Sequence, residues 1–101
     1  QRLGVNMPGF LEKYLDEIQK LKLDLIIVDP PRSGCSPEML EALNQTGAKR
    51  MIYVSCNPST LARDAKWLDA EGWKIKKVQP VDMFPHTAHV ECVALMSRVQ
   101  K

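Results

Sequence analysis

Glycine-rich loops and long apolar runs are both missing from this chain of 101 residues. Its 5 glycines are dispersed, so the chain has no glycine-rich turn between a strand and a helix of the kind that binds a nucleotide-like group. The apolar run Leu25–Val28 is followed at once by Asp29 and Pro30, and no stretch approaches the roughly 18 to 20 apolar residues of a membrane span. We therefore expect a soluble domain without membrane contact.

The chain also has few cysteines and a small net charge, which limits the redox environments and the binding partners that it suits. The three cysteines, Cys35, Cys56 and Cys92, are odd in number and show no C-x-x-C spacing. Neither a disulfide framework nor a zinc site is indicated, and a reducing, cytoplasmic setting fits best. The formal net charge of +2 is too small to indicate nucleic acid by itself, although lysines 74, 76 and 77 could either contact phosphate or line a solvated strand edge.

Apolar periodicity and capping signals predict three helices. Ser36 and Asn57 each precede a proline, which is the pattern of an N-cap followed by proline at the first helical position. Gly47 and Gly72 predict where these two helices end. An earlier amphipathic helix is predicted over residues 8–21, with one apolar face made of Phe10, Leu11, Tyr14, Leu15, Ile18 and Leu21.

Four strands alternate with these helices in the predicted order. They cover Leu25–Val28, Arg50–Ser55, Trp73–Val81 and about residues 90–96. The first three should be parallel, because their spacing suits right-handed crossovers. The connection over residues 82–89 is too short for a helix, so the last strand should return antiparallel. The predicted fold class is α/β, with parallel strands and one antiparallel final strand.

Two short motifs follow neighbouring predicted strands and point to a site. A D-P-P-R motif at residues 29–32 follows the first strand, and an S-C-N-P motif at residues 55–58 closes the second. The carboxyl ends of parallel strands face one crevice, so Asp29 and Cys56 should lie near each other. The carboxyl ends of the parallel strands form one edge of the sheet, which we call the rim. An antiparallel final strand begins at this rim, so Glu91 would lie beside Asp29 and Cys56.

The chemistry of these groups leaves alternatives open. Cys56 precedes a capped helix, whose N-terminus stabilises a thiolate, but a small buried hydrophobe is the alternative. Glu91 could serve as a general base. Asp29 could hold a ligand or form a turn, and Arg32 could pair with an anion or decorate a loop. Cys35 and Cys92 are expected to be structural.

A metal site is disfavoured at the end of the chain, although His86, His89 and Glu91 lie close together there in sequence. All three come from one short loop and strand, with no further acidic or histidine ligand nearby. At least one of the two histidines is expected to be structural.

Three motifs taken together resemble one family. They occupy residues 29–34, 55–58 and 82–91. In order and spacing they are similar to the carboxyl-terminal part of the catalytic domain of the RNA uracil-C5-methyltransferase family, over roughly residues 24–98. The resemblance implies a Rossmann-like enzyme that uses S-adenosylmethionine to convert a uridine of ribosomal or transfer RNA to 5-methyluridine, with 23S ribosomal RNA preferred.

The resemblance also implies a role for each matching residue. Cys56 would add to carbon 6 of uracil, and Glu91 would remove the proton from carbon 5 after methyl transfer. Asp29 would help to bind the cofactor. The substrate-binding residues implied are Pro30, Arg32, Asn57 and Phe84, with the aromatic ring lining the pocket of a flipped-out base.

The missing glycine-rich loop is the main departure from that family. Residues 1–101 are therefore expected to be a carboxyl-terminal fragment that lacks the cofactor loop and an amino-terminal RNA-binding domain. As a free chain it should transfer no methyl group and bind the cofactor weakly or not at all. Leu25–Val28 should have lost its neighbour in the sheet, leaving an edge prone to self-association.

Three other functions compete with this interpretation. A methyltransferase acting on an exocyclic amine shares the D-P-P motif, but it would have an aromatic residue where this chain has Arg32, and it has no use for Cys56. A non-catalytic RNA-contact module is the second alternative. A thiol hydrolase using Cys56 with His86 or His89 is the third, and it explains neither the D-P-P motif nor Glu91.

Overall fold

The computed structural model describes residues 2–5, 9–81 and 91–99. Within these ranges no helix is long and apolar enough to cross a membrane. In chain order the elements are β1 (Arg2–Val5), α1 (Phe10–Lys20), β2 (Leu25–Val28), α2 (Pro37–Gln45), β3 (Arg50–Ser55), α3 (Pro58–Ala70), β4 (Trp73–Val81) and β5 (Glu91–Arg98). The five strands form one sheet in the order β1-β2-β3-β5-β4.

The strand directions confirm the predicted α/β fold class. β1, β2 and β3 are parallel to their neighbours, whereas β5 is antiparallel to both β3 and β4. β4 therefore runs in the same direction as β2 and β3, although β5 separates it from β3. The last strand is inserted into the sheet rather than added at its edge.

The predicted open edge at Leu25–Val28 is wrong. β1 pairs with β2 along its whole length, with Gly4 opposite Ile27 and Leu3 opposite Ile26. Because the backbone groups of β2 are satisfied on that side by β1, the strand is interior and offers no free edge for self-association. The sequence does not reveal β1 because its four residues, unlike those of β2, include an arginine and a glycine and form no apolar run.

The two predicted N-caps are confirmed. The Ser36 hydroxyl accepts a hydrogen bond from the Met39 backbone N–H at 3.1 Å, and α2 then begins with proline. The side-chain oxygen Oδ1 of Asn57 accepts a hydrogen bond from the Ser59 backbone N–H at 3.0 Å at the start of α3. Each cap satisfies a backbone donor that a helix start leaves without an intrahelical partner.

The continuous apolar face predicted for the first helix is interrupted. Leu11 and Ile18 are buried, but Tyr14 is 41% exposed and Leu21 is 43% exposed. The cause is a kink, because Tyr14 leaves helical geometry with φ −112° and ψ 19°. The described part of this helix starts after Gly9, and its predicted start at Pro8 lies outside the described residues.

The core lies between one face of the sheet and the helices. The fully buried strand residues alternate with half-buried ones, as expected when successive side chains point to opposite faces. The buried set, which packs with the apolar residues of all three helices, is Ile26, Val28, Met51, Tyr53, Ala94 and Met96. The half-buried set on the other face is Ile27, Ile52, Val54, Val93 and Leu95.

The lysine cluster lies on the outermost strand, β4. Lys74 donates from Nζ to Asp69 Oδ1 at 2.9 Å, with both side chains about half exposed. Lys76 and Lys77 are exposed next to a register shift between Ile75 and Lys77. Lysines and a β-bulge on an edge strand discourage pairing with another chain, so the solvated-edge interpretation accounts for all three.

Candidate active site

Asp29 and Cys56 lie at the same end of the sheet. Asp29 directly follows β2 and Cys56 directly follows β3, and these strands are parallel neighbours with Val28 opposite Tyr53. Asp29 is exposed, whereas Cys56 is half-buried. The predicted convergence of the acid and the thiol at one rim is confirmed.

Glu91 begins β5 at this same rim. The next residue, Cys92, pairs with Ser55 at the end of β3 and with Pro80 near the end of β4. The backbone of Glu91 is thus beside the strand end that presents Cys56, as the sequence predicted. Phe84, His86 and His89 lie outside the described residues.

The Ser55 hydroxyl holds the turn that contains Cys56. It accepts a hydrogen bond from the Asn57 backbone N–H at 3.0 Å and donates one to the Asn57 carbonyl oxygen at 2.8 Å. Ser55 is 4% exposed, so both bonds are shielded from water. Cys56 is therefore placed in a defined turn between β3 and α3.

Asn57 has a second contact besides its cap. Its Nδ2 donates to the Arg32 carbonyl oxygen at 3.3 Å, and the Thr60 hydroxyl donates to the same oxygen at 3.4 Å. Arg32 itself is exposed. Asn57 therefore links the two motifs to each other, and its predicted contact with substrate stays a prediction.

A pair of substitutions separates the two contacts of Asn57. Asn57→Ala should lower the free energy of unfolding by about 1 to 2 kcal/mol, because it removes both the cap and the link to Arg32. Asn57→Ser keeps an oxygen for the cap, so it should lose only about half of that amount. Urea unfolding of both variants measures the difference. A serine variant as stable as the original chain would show that the link contributes nothing.

Arg63 and Asp64 on α3 hold the loop after the D-P-P-R motif. Arg63 Nη2 donates to the carbonyl oxygens of Ser33 at 3.0 Å and Cys35 at 3.2 Å. Asp64 Oδ2 accepts from the Cys35 backbone N–H at 2.8 Å. The two side chains also join each other, because Arg63 Nε and Nη2 each lie 3.1 Å from Asp64 Oδ1.

Tyr53 completes the surroundings of the Asp64 carboxylate. Its hydroxyl donates to Asp64 Oδ2 at 2.5 Å, and both residues are fully buried. Burial, followed by this hydrogen bond, raises the pKa of Tyr53, so the phenol stays protonated and remains a donor.

Cys35 packs against this group as a structural residue. Burial is the main cause that raises the pKa of its thiol to about 12, and the Asp64 charge adds to it. A thiol in this state is protonated at neutral pH and is a poor nucleophile. Cys35 is therefore not a candidate for the nucleophile, whereas Cys56 stays one.

Gly34 is required where the loop meets α3. Its φ is +84°, and a Cβ added there would lie 2.5 Å from Arg63 Nη2 and 2.9 Å from Asp64 Oδ2. A side chain would therefore suffer an unfavourable backbone conformation and a clash with both charged groups. The closeness of loop and helix depends on this glycine.

A groove along α2 and α3 lies beside the residues that hold the loop, because its lining includes Cys35, Arg63 and Asp64. This largely apolar groove has a volume of about 580 Å³, and its lining also includes Leu40, Trp67 and Ala70 but neither Asp29 nor Cys56. Among the residues that the structure describes, no three His, Cys, Asp or Glu side chains are grouped as metal ligands.

Several residues that hold the site were not predicted from the sequence. Thr60, Arg63 and Asp64 contact the loop, Tyr53 holds the Asp64 carboxylate, and Ser55 holds the turn that contains Cys56. One signal was available for Asp64, because it lies at helical spacing among Leu61, Ala65 and Leu68, which are all buried. A charged residue in such an apolar stripe requires buried partners, and its presence indicates a polar contact.

Solved structures define the class of fold. The crystal structure of a precorrin-6y C5,15-methyltransferase from Geobacter metallireducens matches 97% of this chain and 66% of its own with a TM-score of 0.56 at 10% sequence identity. At that identity the similarity concerns the fold alone. The sheet and its helices have the Rossmann-like fold of the methyltransferases that match it, as predicted.

The family follows from the sequence itself. Residues 12–99 match the family model described as tRNA (uracil-5-)-methyltransferase. The chain belongs to the tRNA (uracil-5-)-methyltransferase family. The family resemblance in the sequence motifs is thereby confirmed.

Two relatives show how much of such a protein the chain covers. An uncharacterized RNA methyltransferase of Bacillus cereus is 60% identical over 77% of this chain and 17% of its own length. The crystal structure of the Pyrococcus abyssi tRNA (uracil-54, C5)-methyltransferase, in complex with S-adenosyl-L-homocysteine, is 49% identical with a TM-score of 0.63, over 72% of this chain and 18% of its own. The chain thus spans about a fifth of the length of these relatives.

Proposed function

We propose that this chain forms the carboxyl-terminal part of the catalytic domain of an RNA (uracil-5-)-methyltransferase. The observation that carries the proposal is the placement of Cys56 and Glu91 at one rim of the sheet, next to Asp29. Membership of the family supports it. The resemblance of the Pyrococcus abyssi enzyme, which is 49% identical, supports uridine in RNA as the substrate class.

Cys56 is proposed to activate the base. Carbon 5 of uracil is a weak nucleophile, so the thiolate adds to carbon 6, forming an S–C bond and moving an electron pair into an enolate centred on carbon 5. The half-buried position of Cys56 leaves the thiol accessible from the rim. Carbon 5 can then accept a methyl group.

Asp29 is the residue of this chain proposed to hold part of the cofactor. Its carboxylate is exposed at the carboxyl end of β2, the position where open α/β sheets bind ligands, and Pro30 and Pro31 limit the freedom of the chain beside it. S-adenosylmethionine, when bound, supplies an electrophilic methyl group. The chain lacks a glycine-rich loop, so these residues fit only one part of such a cofactor.

Glu91 is proposed to complete the reaction as a general base. It removes the proton from carbon 5 after methylation, the electron pair of that C–H bond re-forms the double bond between carbons 5 and 6, and the Cys56 thiolate leaves. Pro30, Arg32, Asn57 and Phe84 are proposed to contact the RNA substrate. The exposed position of Arg32 and the half-buried position of Asn57 support this for those two residues, whereas Pro30 is buried.

The RNA that carries the target uridine has two candidates. The preference for 23S ribosomal RNA stays a prediction. The 49% identity to the Pyrococcus abyssi enzyme, which acts on uracil 54 of tRNA, supports transfer RNA as the first substrate to test.

Trapping with a fluorinated base tests the proposal. Because the chain spans about a fifth of its relatives, the experiment uses a chimera in which this chain replaces the matching segment of the Pyrococcus abyssi enzyme. Incubation with S-adenosylmethionine and tRNA carrying 5-fluorouridine should give a covalent adduct, since fluorine cannot leave as a proton. Intact mass and peptide mapping should locate the adduct at Cys56.

Two cysteine variants control this experiment. Cys56→Ser should give no adduct, whereas Cys92→Ala should give as much as the unmodified chimera. A chimera that binds cofactor and RNA but forms no adduct would contradict the assignment of the nucleophile. That result would favour amine methylation or a non-catalytic RNA contact.

A further inference from the structure

The loop between β2 and α2 is attached to the protein mainly through α3. Residues 29–36 have no regular secondary structure, and inside the loop the Gly34 backbone N–H donates to the Pro31 carbonyl oxygen at 2.8 Å. The side-chain hydrogen bonds to the backbone of residues 32–35 come from Asn57, Thr60, Arg63 and Asp64, while the Cys35 side chain packs in the core. All four lie in the first two turns of α3 or at its cap.

The same helix begins immediately after the proposed nucleophile. Cys56 is joined to the N-cap Asn57, and Ser55 closes hydrogen bonds around the peptide groups between them. The loop that carries Asp29 and the turn that carries Cys56 are thus both tied to α3. The paired strands β2 and β3 place Asp29 and Cys56, and the contacts from α3 hold the part of the loop that follows Pro31.

The tightest attachment is a buried carboxylate. Asp64 is completely buried, while Arg63 is 58% exposed at its side chain and reaches over the loop from solvent. An isolated buried charge is unfavourable, and a well-packed apolar residue at such a position is often as stable or more so. The carboxylate accepts hydrogen bonds from the Cys35 N–H of the loop and from the Tyr53 hydroxyl of β3, and it orients Arg63 toward two loop carbonyls. Two of these three partners hold the loop.

We propose that Arg63 and Asp64 are positioning residues for methyl transfer, which hold residues 33–35 against α3 and so set Arg32, at the end of the D-P-P-R motif, relative to Cys56. Neither residue touches the reacting atoms. The inference rests on the proposed function, because the groups being positioned are those assigned to the reaction. Loosening the loop misaligns the bound base without removing a contact to it.

Kinetics of the chimera test this role through two variants and a matched control. Arg63→Gln and Asp64→Asn should each lower kcat by about 10²-fold, the size expected when reacting groups are displaced by about 1 Å. KM for RNA should stay within about threefold, since no RNA contact is removed. Tyr53→Phe deletes the hydrogen bonds of its hydroxyl to the same carboxylate and to the Cys35 thiol, but none to the loop backbone. Its kcat should therefore stay within about threefold although its stability falls.

Amide exchange of the 101-residue chain gives a readout without catalysis. The Cys35 amide should exchange at least about tenfold faster in Asp64→Asn than in Tyr53→Phe, relative to the amides of β3 in each variant. If Asp64→Asn fails to fold, Arg63→Gln still tests the role, because the Arg63 side chain is exposed and its replacement should leave the fold intact.

Equal kcat values for Arg63→Gln and Tyr53→Phe, or no faster Cys35 exchange in Asp64→Asn, would overturn the positioning role. Absence of an adduct in the unmodified chimera would instead overturn the proposed function, and the exchange rates would still report whether the loop is held.

Discussion

Glu91→Gln in the chimera is expected to stop the reaction after methyl transfer, leaving ordinary uridine RNA attached to Cys56. The amide of glutamine cannot take the proton from carbon 5, so the double bond cannot re-form and the thiolate cannot leave. Turnover should fall by about 10² to 10⁴-fold, the usual contribution of a general base. The trapped species should have the mass of protein plus RNA plus one methyl group, and it should require S-adenosylmethionine.

The controls for this prediction come from the same chain. Glu41→Gln changes an exposed acid on α2, away from the rim, and should turn over normally without an adduct. The double variant Cys56→Ser and Glu91→Gln should form no adduct, because the nucleophile is missing. Normal turnover by Glu91→Gln would exclude this residue as the base while leaving the Cys56 assignment intact.

Gly34→Ala is expected to cause the largest loss of stability of any small substitution near the site. A residue other than glycine at φ +84° costs about 1 to 2 kcal/mol in backbone conformation alone. The new methyl group also displaces the end of Arg63 and crowds Asp64, which Tyr53 and the Cys35 amide hold in place. Disturbing hydrogen bonds to a buried charge adds about 1.5 to 3 kcal/mol. The total expected loss is about 3 to 5 kcal/mol.

Gly47→Ala is the matched control for this substitution. Gly47 has nearly the same φ, +83°, but an added Cβ would meet nothing within 4 Å. Its variant should therefore lose only the conformational part, about 1 to 2 kcal/mol. Urea unfolding of both variants gives the two losses, and their difference isolates the contact between loop and helix. Equal losses would show that the loop moves away from α3 at little cost.

The parts of the fold that sequence analysis predicted depend on local signals. Ser36 and Asn57, each followed by proline, predicted both helix starts, and the short connection before β5 predicted its antiparallel direction. β1 could not be predicted, because it is held by a pairing with β2 more than twenty positions later in the chain and by packing of Leu3 on the core. The kink at Tyr14 likewise leaves no mark on the apolar spacing of α1.

The site could likewise be predicted where it depends on the local sequence, but not where it depends on contacts between residues distant in the chain. Strand ends place Asp29 and Cys56, and a strand end is visible as a change from apolar to polar residues. The contacts of Asp64 with Cys35 and of Arg63 with Ser33 join residues 29 and 30 positions apart. Periodicity does not reveal which loop a buried carboxylate will meet. The positions of Asp29 and Cys56 could therefore be predicted from the sequence, whereas the contacts of Arg63 and Asp64 with the loop could not.

The position of β5 between β3 and β4 imposes an order on biosynthesis. β3 and β4 do not pair with each other, and within the described residues β4 pairs only with β5. While a ribosome is still making residues 82–98, β4 has no partner and β3 lacks one of its two neighbours. β4 pairs with β5 across the short connection between them, whereas the pairing of β3 with β5 joins residues about 37 to 47 positions apart and forms slowly compared with local contacts. The proposed base Glu91 and the strands on either side of it therefore reach their final arrangement together, as the last step of assembling this part of the sheet.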